Sequence, residues 1–330
     1  MPLAAAAASL RGGRSALARW GGSRGLLDPT AAVRSSPPAA QATRWARRVS
    51  RGIFEPQTMP APVVIDTDIG DDIDDTWAIA LALRCPELDV RLITTAHGAP
   101  KGRAALIGKL LHAAGRPDIP IGLGRGGEAP LAQGAWGTGF DIGAHPGGVK
   151  ADGARAMADV ILSSPEPVVV IALAPAGNLA SALALDATIA GRASVVGMGG
   201  SVRRGYGRSP APSAEYNVKT DAQAYREVLA APWHVALTPL DVCDEVVLEG
   251  EEFQAVRSAA EAGDSLCAAI LECYGRWAEA CRGDDAGVFP ASRYNRTTGD
   301  DLASRSTVLF DCAAVGLAVQ LHAAAQGEAG

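Results

Sequence analysis

Apolar and polar positions alternate between two rhythms along most of this chain. Short, β-branched apolar runs at residues 62–66, 88–94, 118–122, 167–174, 193–198 and 233–238 predict strands. Longer Ala- and Leu-rich stretches at 75–84, 101–114, 152–163, 178–186 and 219–230 predict the helices between them. Continuous apolar strands alternating with helices predict an α/β fold: a single domain with a mostly parallel central β-sheet flanked by helices. Residues 251–282 read as mainly helical, 283–302 as a polar loop, and the chain closes on an apolar run at 308–315 leading into an Ala/Leu helix.

The first 51 residues break both rhythms. They hold nine Arg, no Lys and one acid, Asp28, among Ala, Ser and Gly. That composition resembles an organelle transit peptide and equally suits a low-complexity tail or an extension upstream of the true start, so the compartment stays open between cytoplasm and organelle. The proline-containing stretch up to residue 60 reads as a linker, which sets the domain boundaries at 1–60 for the extension and 61–330 for the folded body. With the whole chain at −6, the body is strongly acidic, which argues against a nucleic-acid partner. No apolar run is long enough to span a bilayer. The six cysteines form no C-x-x-C pair and read as buried thiols.

The acid is concentrated. Val63-Val64-Ile65 runs straight into Asp66, Asp68, Asp71, Asp72, Asp74 and Asp75, six carboxylates in ten residues, and then into a helix-forming segment. This is strand, acidic loop, helix, and ligand sites in open α/β sheets lie at the carboxyl ends of strands. Carboxylates this crowded repel unless a positive charge sits among them, and a hard cation held by oxygen ligands, Ca²⁺ or Mg²⁺, fits.

Asp66-Thr67-Asp68-x-Gly followed by Asp74-Asp75 resembles the signature of the inosine–uridine-preferring nucleoside hydrolases. Ala174-Pro175-Ala176-Gly177-Asn178, Val195 to Gly200, Ala214-Glu215-Tyr216-Asn217, Pro239-Leu240-Asp241-Val242 and Phe310-Asp311-x-x-Ala314-Val315 resemble further motifs of that family in the same order, covering about residues 62–325. The resemblance implies a ribonucleoside N-ribohydrolase of purine or pyrimidine salvage that uses Ca²⁺. It implies Asp68, Asp75, Asp311 and the Gly177 carbonyl as metal ligands, and Asp74 as the base that activates water. It implies Asp66 as support behind the ligands, and Glu215 and Asn217 on the ribose hydroxyls. Partners would be a nucleoside or riboside and further copies of the chain, as a dimer or tetramer.

Some positions depart from the pattern. The acidic loop is two residues longer, so Asp72 is an alternative to Asp74 as base, and Ile69 replaces a proline. Ala99 and Ser209 stand where asparagines are usual. Phe310 replaces the histidine before the C-terminal aspartate; it can stack on a base or close the pocket but cannot donate a proton. Asp241, after an apolar strand, reads as a structural hydrogen-bonding residue; His97 and His145 read as surface or satisfied histidines, and Trp136, Trp233 and Trp277 as core or pocket lining. Two other functions fit parts of the chain: a catalytically impaired ribose- or nucleoside-binding protein on the same fold, and a haloacid-dehalogenase-like phosphohydrolase with Asp66 as nucleophile.

Overall fold

Strand β1 (Ala61–Thr67) is buried almost throughout, and its neighbours explain why. It pairs in parallel with β2 (Leu88–Thr95) on one side and β5 (Val168–Ala172) on the other. The computed structural model describes residues 59–282 and 301–327. Outward from β2 lie β3 (Ile121–Gly122) and β4 (Val149–Lys150); outward from β5 lie β6 (Ala193–Met198) and β7 (His234–Thr238). All neighbours in this seven-stranded sheet are parallel, in the order β4-β3-β2-β1-β5-β6-β7. The order reverses direction between β1 and β5, and a crevice opens at such a reversal beyond the strands' carboxyl ends.

The two-residue period of the strands divides the core. Val63 and Ile65 of β1 join one apolar cluster and Val64 joins the other, as successive side chains on a strand must. The first cluster packs α1 (Asp74–Arg84), α2 (Pro100–Ala113), α6 (Gly250–Glu261), α7 (Ser265–Arg282) and α8 (Phe310–Gly327) against one face. The second packs α3 (Gly153–Ser163), α4 (Gly177–Leu185) and α5 (Ala222–Ala230) against the other. This is the single α/β domain expected, with helices on both faces.

The differences from expectation have local causes. The strand expected at 118–122 shortens to Ile121–Gly122, since Pro120 has no N–H to offer a ladder. Strand β4, only two residues long, and the antiparallel pair β8 (Val247–Glu249) with β9 (Arg305–Val308) are additions, too short or too polar to show a period. The helix expected at 219–230 is two: Asp221 ends Tyr216–Thr220 and accepts the Ala224 N–H at 3.0 Å to start α5. Residues 251–282 likewise divide at Gly263, whose φ of 95° no helix accommodates. The 1–58 extension and most of the polar loop at 283–302 lie outside the described residues. No helix among the described residues is long and apolar enough to cross a membrane.

Asp264 sets the α6–α7 break. Its carboxylate accepts the N–H groups of Leu266 and Cys267 at 3.1 and 3.0 Å and pairs with Arg84 of α1 at 2.7 Å. Asp264→Ala is expected to cost about 1–2 kcal/mol, the usual loss for a helix cap; urea unfolding followed by circular dichroism measures it.

Candidate active site

The acidic run occupies the crevice between β1 and β5. Asp66, next to last in β1, is fully enclosed: Thr94 and Asn178 donate to its Oδ1 at 2.5 and 2.8 Å, while Oδ2 has no partner among the described residues. Asn178, in the first turn of α4, also donates to the Thr95 carbonyl at 2.9 Å, which ties the ends of β1, β2 and β5 together. Gly70 turns the loop with a φ of 133°. Any side chain there would be strained and would meet Leu131 at 3.0 Å.

Helix α1 opens on Asp74 and Asp75, where carboxylates complement the positive end of the helix dipole. Helix α8, packed against α1, opens on Phe310 and Asp311. Two helix starts thereby aim their acids at one point: a carboxylate oxygen from each of Asp74, Asp75 and Asp311 lies within 4.8 Å of the others, and all three residues are buried. Asp68, also buried, lies close enough to raise the proton affinity of Asp74 and Asp311. Thr67 donates its hydroxyl to Asp75 Oδ1. Asp72 Oδ1 accepts the Ile73 N–H at 2.8 Å, and its charge is the first after burial to raise Asp74 and also raises Asp75. Asp74 is one of the three converging acids, and Asp72 lies beside it.

Burial dominates the electrostatics. Loss of hydration raises Asp66 to about 6 and Asp75 to about 7, against opposing hydrogen bonds from Thr94 and Asn178 in one case and from Thr67 in the other. Asp68, Asp74 and Asp311 are pushed well above the ordinary carboxylate range, first by burial and then by a neighbouring carboxylate, Asp75 for Asp68, Asp72 for Asp74 and Asp74 for Asp311. Such a donor set, all oxygen, all buried and mutually repelling, fits a hard divalent cation.

Around this floor stand the other expected residues. Glu215 caps the short helix Tyr216–Thr220: Oε1 accepts the Asn217 N–H at 2.7 Å, and Oε2 accepts those of Val218 and Gly200 at 3.0 and 2.8 Å. Asn217 Nδ2 donates to the carbonyls of Leu173 and Met198 at 3.0 and 3.3 Å. Phe310 is buried edge-on against Tyr206, ring centres 6.0 Å apart, and Tyr206 Oη accepts the Tyr216 N–H at 3.0 Å. Half-buried Tyr216 is pushed up to about 12 by burial and then by Asp68. Its ring meets that of His97 edge-on at 6.3 Å. Gly177 is the first residue of α4, directly before Asn178, whose side chain donates to Asp66.

The sequence profile of the inosine-uridine preferring nucleoside hydrolases matches residues 63–325. This chain belongs to that family. A non-specific ribonucleoside hydrolase RihC from Klebsiella pneumoniae is 31% identical over 224 residues, 63% of this chain and 70% of the relative. A pyrimidine-specific ribonucleoside hydrolase RihA from Citrobacter koseri is 31% identical over 230 residues, 66% and 72% of the two chains. Among solved structures, a plant nucleoside hydrolase, the PpNRh1 enzyme, superposes with a TM-score of 0.59 at 25% identity over 79% of each chain. An inosine-guanosine nucleoside hydrolase shares the fold, with a TM-score of 0.59 at 22% identity over 78% of each chain.

As a nucleoside hydrolase, the chain is a nucleosidase-type N-glycosyl hydrolase, and its site holds residues the sequence reading passed over. Arg103 and Gln133 carry no motif, and Thr67 lies inside the acidic one without a role having been read for it. Arg103 alone left a trace: it lies in register with Leu106, Ile107 and Leu110 on the buried face of α2, close to the helix's positive end, where a cation is unfavourable unless acids face it. His145, outside the site, contacts the Ile119 carbonyl at 2.8 Å, and Asp241 accepts the N–H groups of Val202 and Arg203 at 2.8 and 2.9 Å.

The raised carboxylates give a pH signature. Their native affinity for protons exceeds the unfolded value of ~3.9, so they favour the fold below that pH. That contribution is lost as pH rises through about 6 for Asp66 and about 7 for Asp75. Chelator-treated protein is expected to lose melting temperature across this window. An added divalent cation is expected to raise it more at about pH 8 than at about pH 5, because ionised acids bind a cation and protonated ones do not; scanning fluorimetry with and without the cation measures both.

Proposed function

We propose that this nucleoside hydrolase cleaves the N-glycosidic bond of a ribonucleoside with a water activated at the Asp74–Asp75–Asp311 cluster, Asp74 serving as base. The observation that carries this reading is the convergence of those three buried carboxylates, with Asp68 beside them, from segments more than two hundred residues apart in sequence. Asp68, Asp75 and Asp311 would hold Ca²⁺, with the Gly177 carbonyl as the further ligand implied by the family pattern. Bound there, the cation would orient the water and lower its pKa. Asp74, left outside that ligand set, would accept the water's proton, and the surrounding negative charge would favour an oxocarbenium-like sugar.

The ribose would rest on Asn217 and Glu215. Asn217 has spent Nδ2 on two carbonyls, which leaves Oδ1 to accept from a sugar hydroxyl. Glu215 Oε1 holds one N–H and retains capacity for a second donor. Phe310, against Tyr206, would offer the base an apolar wall and no proton. Asp66 would support the ligands from behind. The phosphohydrolase alternative needs Asp66 as an exposed nucleophile, and that residue is wholly enclosed.

A panel of inosine, uridine and nitrophenyl riboside, assayed for reducing sugar, tests the proposal. Turnover is expected to vanish with chelator and return with Ca²⁺, and Asp74→Ala is expected to lower kcat by about 10²–10⁴. With no proton donor at Phe310, the nitrophenyl riboside, whose leaving group needs none, is expected to react fastest. Nucleoside binding without any sugar release would overturn the reading in favour of a binding protein, and chelator-insensitive turnover would overturn its metal part.

A further inference from the structure

The backbone of the acidic loop is held from outside, carbonyl by carbonyl. Arg103 Nη1 donates to the Asp68 carbonyl and, at 2.8 Å, to that of Ile69. The Gln133 N–H donates to the Gly70 carbonyl at 2.9 Å. Trp277 Nε1 donates to the Asp71 carbonyl at 3.0 Å, and Gln133 Nε2 to the Asp72 carbonyl at 2.5 Å. Every carbonyl from residue 68 to residue 72 thus has a donor, and the three donor residues come from α2, from the loop before the short helix Gly134–Gly137 and from α7.

Arg103 does most of this. It is 1% exposed, yet among the described residues only one carboxylate pairs with it directly, Asp71 at 2.8 Å. Its Nε donates to the His97 carbonyl at 2.7 Å, so one planar guanidinium joins the loop after β1 to the loop after β2. His97 is held there with a φ of 50°, a conformation rare for a residue with a side chain. Gln133 secures the far end, also accepting from Thr76 Oγ1 of α1 at 2.7 Å.

We propose that Arg103, with Gln133 and Trp277, is a positioning clamp that pre-forms the cation site by tying down the backbone of residues 68–72. The clamp occupies the loop's own carbonyls, so the loop presents its carboxylates to a cation and not its backbone. It also fixes where the Asp68 side chain starts and where α1 begins, hence the placement of Asp74 and Asp75. This accommodates a loop that would otherwise lose more entropy on binding. The inference rests on the metal reading above and concerns geometry, not charge. Lysine would retain the charge, but a compact ammonium cannot reach the carbonyls of residues 68, 69 and 97 and the Asp71 carboxylate together.

Calcium titration of the full chain, by calorimetry and by tryptophan-sensitised Tb³⁺ luminescence, tests it without recourse to activity. Wild type is expected to bind Ca²⁺, Arg103→Lys to bind it at least about tenfold more weakly, and Arg103→Met more weakly still, each with native circular dichroism. Trp277→Phe keeps the ring packing and removes only the donor to Asp71; it is expected to weaken binding about threefold or more and serves where Arg103 variants do not fold. Wild-type affinity in both Arg103→Lys and Trp277→Phe, or tighter binding by Arg103→Met, would overturn the clamp. Absence of Ca²⁺ binding in wild type would instead overturn the metal reading on which it rests.

Discussion

Carboxylates held out of water at the end of a central strand repel one another, and the surrounding structure has to contain that repulsion. Asp68, Asp74, Asp75 and Asp311 are buried together where the sheet changes direction. Their raised proton affinities follow first from lost hydration and then from mutual charge. A buried charge is tolerated only when hydrogen bonds or a counter-charge offset its desolvation. Here the helix starts of α1 and α8, the Thr67 hydroxyl and the Arg103 guanidinium supply part of that offset. A bound divalent cation would supply the rest.

The fold provides the rigidity this requires. β1 sits between β2 and β5, and its side chains alternate between two apolar clusters. Asp66 cannot move, because Thr94 from β2 and Asn178 from α4 both hold it. The same Asn178 ties the strand ends on either side of the crevice. Groups that support the site are therefore also groups that hold the sheet together, which makes placement of the acids a property of the whole domain.

The sugar and base sides are built differently. Glu215 and Asn217 do structural work first, capping a short helix and holding the ends of β5 and β6, and only their remaining acceptor capacity would be left for a ligand. Phe310 packs on Tyr206 with no proton to give. The site thus joins a heavily braced acidic floor to an aromatic wall of low chemical reactivity. In a family whose relatives here include a non-specific and a pyrimidine-specific hydrolase, that wall would, on the proposed reading, be the part of the pocket that discriminates among bases.

Much of this was legible in the residues themselves. Buried parallel strands announce themselves as continuous apolar runs, so β1, β2, β5, β6 and β7 were visible, as was the acidic loop that follows β1. Short edge strands such as Val149–Lys150 were not, because two residues carry no period. Asp221 and Gly263 divided helices that a smooth apolar pattern had joined. Within the site, sequence could name Asp74, Asp75 and Asp311, but only the packing of α8 on α1 brings them within one ion's reach. It could not single out Asp74 over Asp72, neighbours in the same acidic run whose charges act on each other. Arg103, Gln133 and Trp277 show why the remainder needs three dimensions. Their task is to satisfy backbone carbonyls of a distant loop, and a carbonyl is the same at every position of the chain, so nothing in the loop's own sequence marks which partners it will find.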